Sequence, residues 1–388
     1  MRFGLELAPQ RRVYGAFFIY SFCMGSLFPR LPDLQRTLGV AEGALGLALI
    51  GTACGTLISL TFAGPLLERI GYRRAILILI PLLSLFYGVA VLATSPVALF
   101  LLLLPVGLTI GMIEIIINLE ADRTEHKIGR RIMNRSHGFW SLGFFTSGLV
   151  GAGLAQAGVD YRLHLWLIVP VAVIGTLLLL GRFDPAPHRA TTATDVPRFA
   201  RPTLAIGILV VVTLSAMILE GAGADWSAIY MRKEFTVSPF TSGFAVAIGA
   251  LTQAVTRMVA DNFVERYSPV DVARVLLSIL GLGALIVFFS PDPWLSLVGF
   301  GLMGIGTSAI FPLAMSAAAQ RTDRHSAVNV AALAQTSFSV FLFGPPLLGF
   351  IAEHFGIRWS FGIGLPLVVL SLLTASALGR RPIPHAVE

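Results

Sequence analysis

Apolar residues run along this chain in long blocks separated by short polar stretches. Twelve blocks are read in order: 13–30, 43–66, 75–93, 97–122, 134–157, 163–181, 203–230, 238–262, 270–290, 293–318, 326–352 and 358–379. Most reach the ~20 residues that a helix needs to cross a bilayer. The pattern predicts an all-α membrane protein with twelve transmembrane helices. The blocks also repeat. Glu68-Arg69 after the second block returns as Glu265-Arg266 after the eighth, 197 residues on. Gly151 and Gly158 at the end of the fifth return as Gly349 and Gly356 at the end of the eleventh, an offset of 198. Two landmarks at nearly one offset predict two pseudo-symmetric six-helix bundles, residues 1–181 and 203–388, joined by a linker over 182–202. Parallel repeats of this kind are a transporter signature, with substrate bound near the midplane between the halves. Within it, Arg182–Arg201, with three prolines, four arginines and the Thr-rich stretch Ala190–Thr194, reads as a mobile tether.

Composition sharpens this picture. Of 388 residues, 55% are hydrophobic and 13% charged, about half the charged share of a soluble domain. Water-soluble and nucleic-acid-binding classes are excluded, so the net charge of +7 is not a nucleic-acid footprint. Twelve spans put both termini on one side. That side holds twenty-one Lys and Arg, the other six, and Arg257 falls within a span. Positive charge stays cytoplasmic, so both termini are expected in the cytoplasm of a bacterial inner-membrane protein. The first dozen residues lack signal-peptide order, so the first span reads as retained. Cys23 and Cys54 read as packing residues, and no metal frame, P-loop or other cofactor signature is present. An enzyme would need a convergent nucleophile–base or metal set, and a sensor a soluble signalling domain; neither is seen, so the chain is not expected to be an enzyme.

Candidate chemistry centres on the fourth span. Glu114 lies about two turns, ~12 Å, inside the polar end that follows Asp122. Charge at such depth costs about 2.5–3.5 kcal/mol on insertion scales, which makes an acid there a functional candidate. Asn118 at i+4 shares its face. Glu114 is expected to couple proton movement, the alternative being an inert, hydrogen-bonded acid. His137, about one turn inside the fifth span, either relays protons to Glu114 or is a hydrogen-bonded interfacial imidazole. Trp140 follows on the same helix as a candidate cavity residue. In the seventh span Glu220 and Asp225 flank Gly221 and Gly223. Glu220 reads as a cavity acid or a buried structural one, and Asp225 as a partner for Arg30 or Arg36. Trp226 either stacks on a sugar ring or belongs to the interfacial aromatic belt. Tyr20, Ser21, Asn329, Gln335 and Ser337 are further cavity candidates. Arg257 and Asp261, four apart at the end of the eighth span, are expected to pair as a gate or a structural bridge.

The loop after the second span reads Gly64-Pro-Leu-Leu-Glu68-Arg69-Ile-Gly71-Tyr-Arg73-Arg74. It resembles the signature loop of the major facilitator superfamily, with Glu68 where an Asp is usual. The resemblance implies that Glu68, Arg69 and Arg73 latch the halves on the cytoplasmic side while the cavity opens outward. Gly64 and Gly71 would allow a close helix approach and a tight turn. Gly111-x-x-Glu114-x-x-x-Asn118 resembles the fourth-helix motif of the fucose/glucose/galactose proton-symporter branch. There the acid and Asn couple sugar binding to proton movement. The order Met133…His137-Gly138…Ser141-Leu-Gly143 and the segment Glu220…Asp225-Trp226 look like bacterial permeases near that branch. The sugar-branch acid of the first helix is absent, and Asp33 lies beyond that helix. The expected function is proton-coupled alternating-access transport of a small polar, sugar-like solute by a monomer. Proton-driven efflux of a drug or metabolite is the alternative. The expected partners are a small-molecule substrate, protons and the lipid bilayer.

Overall fold

The computed structural model describes residues 4–182, 184–186 and 200–379. Side chains of residues 261, 262, 264, 265 and 327 are outside that description. Of the predicted tether 182–202, residues 183 and 187–199, including the Thr-rich stretch Ala190–Thr194, lie outside the described residues. Among the described residues all regular structure is helical. The first six membrane helices are α1 Pro9–Gly25, α2 Glu42–Phe62, α3 Tyr72–Ala90, α4 Pro96–Ile128, α5 Met133–Gln156 and α6 Tyr161–Leu180. The last six are α7 Leu204–Glu234, α8 Pro239–Arg266, α9 Pro269–Phe289, α10 Pro293–Ala319, α11 Ser326–Phe355 and α12 Trp359–Leu378. Eleven of these are long and apolar enough to cross a membrane, and the 17-residue α1 completes the twelve.

Four starts share one local chemistry. Ser95, Ser238, Ser268 and Asp292 each precede a proline at the first helical position, and each side chain accepts backbone N–H groups of the first turn. That combination satisfies orphan donors and pre-sets φ. The ends differ more from expectation. The block 13–30 is not one helix: α1 stops at Gly25, and the chain turns through Phe28–Arg30 into the short amphipathic helix Leu31–Leu38. The block 43–66 ends at Phe62, before a separate short helix Gly64–Ile70. α4 runs six residues past Asp122, because its polar last turns are still helix formers and Gly129, at φ +66°, supplies the stop. α10 breaks at Ser308–Ala309, between Pro293–Thr307 and Ile310–Ala319.

The duplication is visible in the backbone. Gly158 and Gly356 have φ of +73° and +94° just beyond α5 and α11, a conformation that disfavours a side chain. α2 packs on α4, and α8 on α10, with a threonine at each crossing: Thr56 Oγ1 donates to Gly107 O at 3.1 Å, and Thr252 Oγ1 to Gly301 O at 2.7 Å. A Cβ on Gly107 would lie 2.0 Å from Thr52 O, whereas one on Gly153 meets nothing within 4 Å. Gly107→Ala is therefore expected to force α2 and α4 apart and lower the melting temperature in detergent. Gly153→Ala should be neutral or gain up to about 1 kcal/mol of helix propensity. The opposite ranking in a melting experiment would contradict this packing.

The halves meet along α5–α8 and α2–α11. We call the side bearing the linker the linker face and the opposite side the far face. Contacts at the far face are polar and cross between halves. Asp33 Oδ1 accepts from Arg232 at 2.7 Å, Glu42 Oε1 from Lys233 at 2.7 Å, and Glu353 Oε2 from Gly43 N at 3.0 Å. At Gly46 a Cβ would fall 2.4 Å from Pro345 O, so α2 and α11 touch backbone to backbone there. The far face is sealed.

Candidate functional site

A cavity of about 780 Å³ lies between the halves. Its lining runs from Leu31 and Pro345 toward the far face to Leu60, Leu119 and Met315 near the linker-face ends of α2, α4 and α10. Glu114 faces it from the middle of α4. Its Oε1 accepts the Tyr20 hydroxyl at 2.9 Å, and its Oε2 accepts Asn118 Nδ2 at 2.9 Å. Asn118 also donates to Glu114 O at 2.9 Å, as an i+4 side chain can. Tyr20 is fully buried on α1, so this hydroxyl ties α1 to α4 through the carboxyl. Both partners are neutral. Among the described residues no cation pairs with Glu114.

The two acids of α7 are handled differently. Five residues at 100° each leave Glu220 and Asp225 about 140° apart around the helix. Glu220 turns to a small adjoining pocket of about 120 Å³ shared with Trp140, Phe144 and Gln253. There it pairs with Arg257 Nη2 at 3.5 Å and accepts Gln253 Nε2 at 2.8 Å. Arg257 further donates to Ser308 O at 3.0 Å and, across the halves, to Ser141 Oγ at 2.9 Å. Ser141 in turn donates to Gln253 Oε1 at 3.1 Å. Asp225 instead lines the large cavity and has no hydrogen bond or ion pair among the described residues. The three deep acids therefore sit in three settings: a cation for Glu220, neutral donors for Glu114, no partner for Asp225.

Several expectations change. Arg257 finds its acid on α7, and the side chain of Asp261 lies outside the described residues. Asp225 does not meet Arg30 or Arg36, because both bridge to Asp33, at 3.0 and 3.1 Å. Trp226 neither lines the cavity nor sits in a belt: it is fully buried with its ring 3.0 Å from the Cβ position of Gly349. Gln335 accepts Ala200 N at 3.0 Å and so anchors the chain entering α7. His137 packs edge-on against Phe17, ring centroids 5.1 Å apart, and no described hydrogen bond joins it to Glu114. Ser21, Ser337 and Asn329 serve packing or a loop: Ser21 donates to Phe18 O, Ser337 meets Thr213, and Asn329 binds Asp323 and Arg324.

At the linker face Glu68 and Arg69 are exposed, and among the described residues neither forms an ion pair with the other half. Arg73 donates to Gly181 O at 2.7 Å, within its own half. Gly71 makes the expected turn at φ +82°, but Gly64 approaches nothing: a Cβ there has open space. Among the described residues this loop therefore makes no ion pair across the halves, whereas the far face does.

Those far-face pairs were not foreseen. Asp33 collects Arg30, Arg36 and Arg232, the last 199 residues distant. Reversal by Arg232→Glu sets like charges together and is expected to open the seal. A cysteine at Leu31, which is fully buried on the cavity floor, would then react with an impermeant maleimide in a background without Cys23 and Cys54. Unchanged labelling would show that the seal does not depend on this cluster.

Comparison with known proteins agrees with this architecture. A family model described as Major Facilitator Superfamily matches residues 13–224 and 208–388. An uncharacterised transporter of this type from Yersinia pestis is 29% identical over 94% of this chain and 93% of its own length. The membrane protein MosC of Rhizobium meliloti is 25% identical over 88% of this chain and 83% of its length. Among solved structures, the nucleoside transporter NupG superposes with a TM-score of 0.71 at 14% identity, covering 96% of this chain and 98% of that one. A single-residue variant of the Escherichia coli fucose:proton symporter FucP gives 0.65 at 17%, covering 96% and 99%. At such identities the two structures speak for the fold alone. The chain is a multi-pass integral membrane protein and a transporter, not an enzyme, and it belongs to the major facilitator superfamily.

Proposed function

We propose that this transporter couples the passage of a small polar solute to a proton carried by Glu114, through alternating access. One observation carries the reading: the Glu114 carboxyl faces the cavity between the halves and is held only by neutral donors. A carboxyl so placed exchanges its proton with whichever compartment the cavity opens to, because no fixed cation holds it ionised. The moving bodies are residues 1–181 and 203–388, with 182–202 as the tether. Positive charge on the linker side supports a cytoplasmic linker and termini in a bacterial inner membrane, so the present state is inward-facing. Opening outward requires the far-face pairs of Asp33 and Glu42 to break and the Glu68–Arg73 loop to close. The cavity is complete within one chain, which supports a monomer.

The hydroxyls of Tyr20, Thr52 and Tyr87 and the Asn118 amide suit a hydroxylated solute, in keeping with the sugar-branch resemblance. The fucose and nucleoside transporters of like fold are consistent with this. A second reading, proton-driven efflux, is favoured by the aromatic remainder of the lining, including Phe311, Phe338 and Phe341. Proteoliposomes with an internal pH dye and a panel of small metabolites test both. Solute-dependent proton movement in the direction of the solute supports import. Opposed movement selects efflux, and solute flux without proton flux rejects the coupling.

A further inference from the structure

The cavity has a one-sided charge inventory. Of the 23 side chains that line it, Glu114 and Asp225 are acids, and none is Lys, Arg or His. The acids come from opposite halves, α4 and α7, and only Asp225 lacks a partner among the described residues. Around them stand six aromatic rings: Tyr20, Phe28, Tyr87, Phe311, Phe338 and Phe341. We propose that the cavity selects an organic monocation, a protonated amine on an apolar or aromatic frame, with Asp225 as the carboxylate that receives the ammonium group. The assignment rests on the proton-coupled transport reading above and puts a cationic solute in place of the neutral, hydroxylated one.

Three alternatives are separated by charge. An anionic solute would enter a low-dielectric space holding two acids and no base, where like charges repel far more strongly than in water. A neutral solute would cover Asp225 without supplying a charge partner, at the cost of an uncompensated buried group. A monocation pairs with Asp225, and its carbon frame meets rings whose faces attract cations. The volume of about 780 Å³ falls within the range of small-molecule sites. Glu114 already has both carboxyl oxygens bonded to Tyr20 and Asn118, which leaves Asp225 as the acid open to the amine.

The test uses the purified full-length protein in detergent and three isosteric probes: phenethylammonium, 2-phenylethanol and phenylacetate. Affinities are measured by calorimetry up to millimolar concentration. The ammonium probe is expected to bind at least about ten-fold more tightly than the other two. Asp225→Asn should remove that preference while leaving 2-phenylethanol binding unchanged, and Asp225→Glu should retain it, which guards against loss of fold. The proposal is overturned if the alcohol or the carboxylate binds as tightly as the ammonium ion. It is equally overturned if no ammonium binding is seen, or if the preference survives Asp225→Asn. Proton flux in proteoliposomes is scored separately. Ammonium binding without coupled flux would leave the substrate class standing and sink the proton-coupled reading, and coupled flux with a neutral solute would do the reverse.

Discussion

Glu114→Gln is expected to abolish proton-driven accumulation and leave solute exchange nearly intact. Gln keeps the length of the side chain, its amide oxygen accepts the Tyr20 hydroxyl, and its polar end still reaches Asn118. No cation loses its counter-charge, since both partners of Glu114 are neutral, so the fold should tolerate the change. The variant cannot carry a proton, however. One pH unit is worth about 1.36 kcal/mol per proton, which supports up to about ten-fold accumulation per coupled proton. Wild type should approach such a ratio under an imposed gradient, and the variant should stop at unity while counterflow stays within about three-fold. Accumulation that survives the substitution would move the proton to another carboxyl.

The second large effect concerns stability. Arg257→Leu would strand Glu220 in the small pocket beside Gln253 with no cation. Removing one member of a buried pair typically costs about 3–5 kcal/mol. The side chains of Arg257 and Glu220 keep 15% and 30% exposure, so the lower end applies. The single variant should melt several degrees lower in detergent, and Glu220→Leu with Arg257→Leu should recover most of the loss, because an apolar pair needs no counter-charge. The Ser141 bond crosses between halves, so both variants should also loosen α5 from α8. A single variant as stable as wild type would show that the Glu220–Arg257 contact contributes little.

What the sequence revealed divides along the range of the interaction. The twelve helices, the Gly158 and Gly356 turns and the Glu114–Asn118 bond are set by neighbours within a few positions, so they are legible in order along the chain. Arg257 illustrates the limit. Spacing favours Asp261 one turn away, but the acid it meets, Glu220, is on another helix. Helical phase alone separates Glu220 from Asp225 by about 140°; which of them meets the cavity depends on where α8 and α10 pack. Trp226 has the composition of a stacking platform and is instead core, because Gly349 lets α11 approach its ring. The Asp33 cluster escaped notice because its decisive partner, Arg232, lies 199 residues away. Tyr87 carries no local sign at all: it is one phenol in an apolar run.

The central claim is that titration of Glu114 biases the choice between two packings of the halves. Spin labels at the exposed positions Thr37 and Pro291 report the far face, and labels at Arg74 and Thr322 the linker face. Pulsed electron resonance distances across each pair, taken over a pH series, test the claim. The account predicts that the two distances change in opposite senses as pH falls, and that Glu114→Gln stays in one distribution at every pH. Distances that ignore pH, or that shift equally in Glu114→Gln, would contradict it.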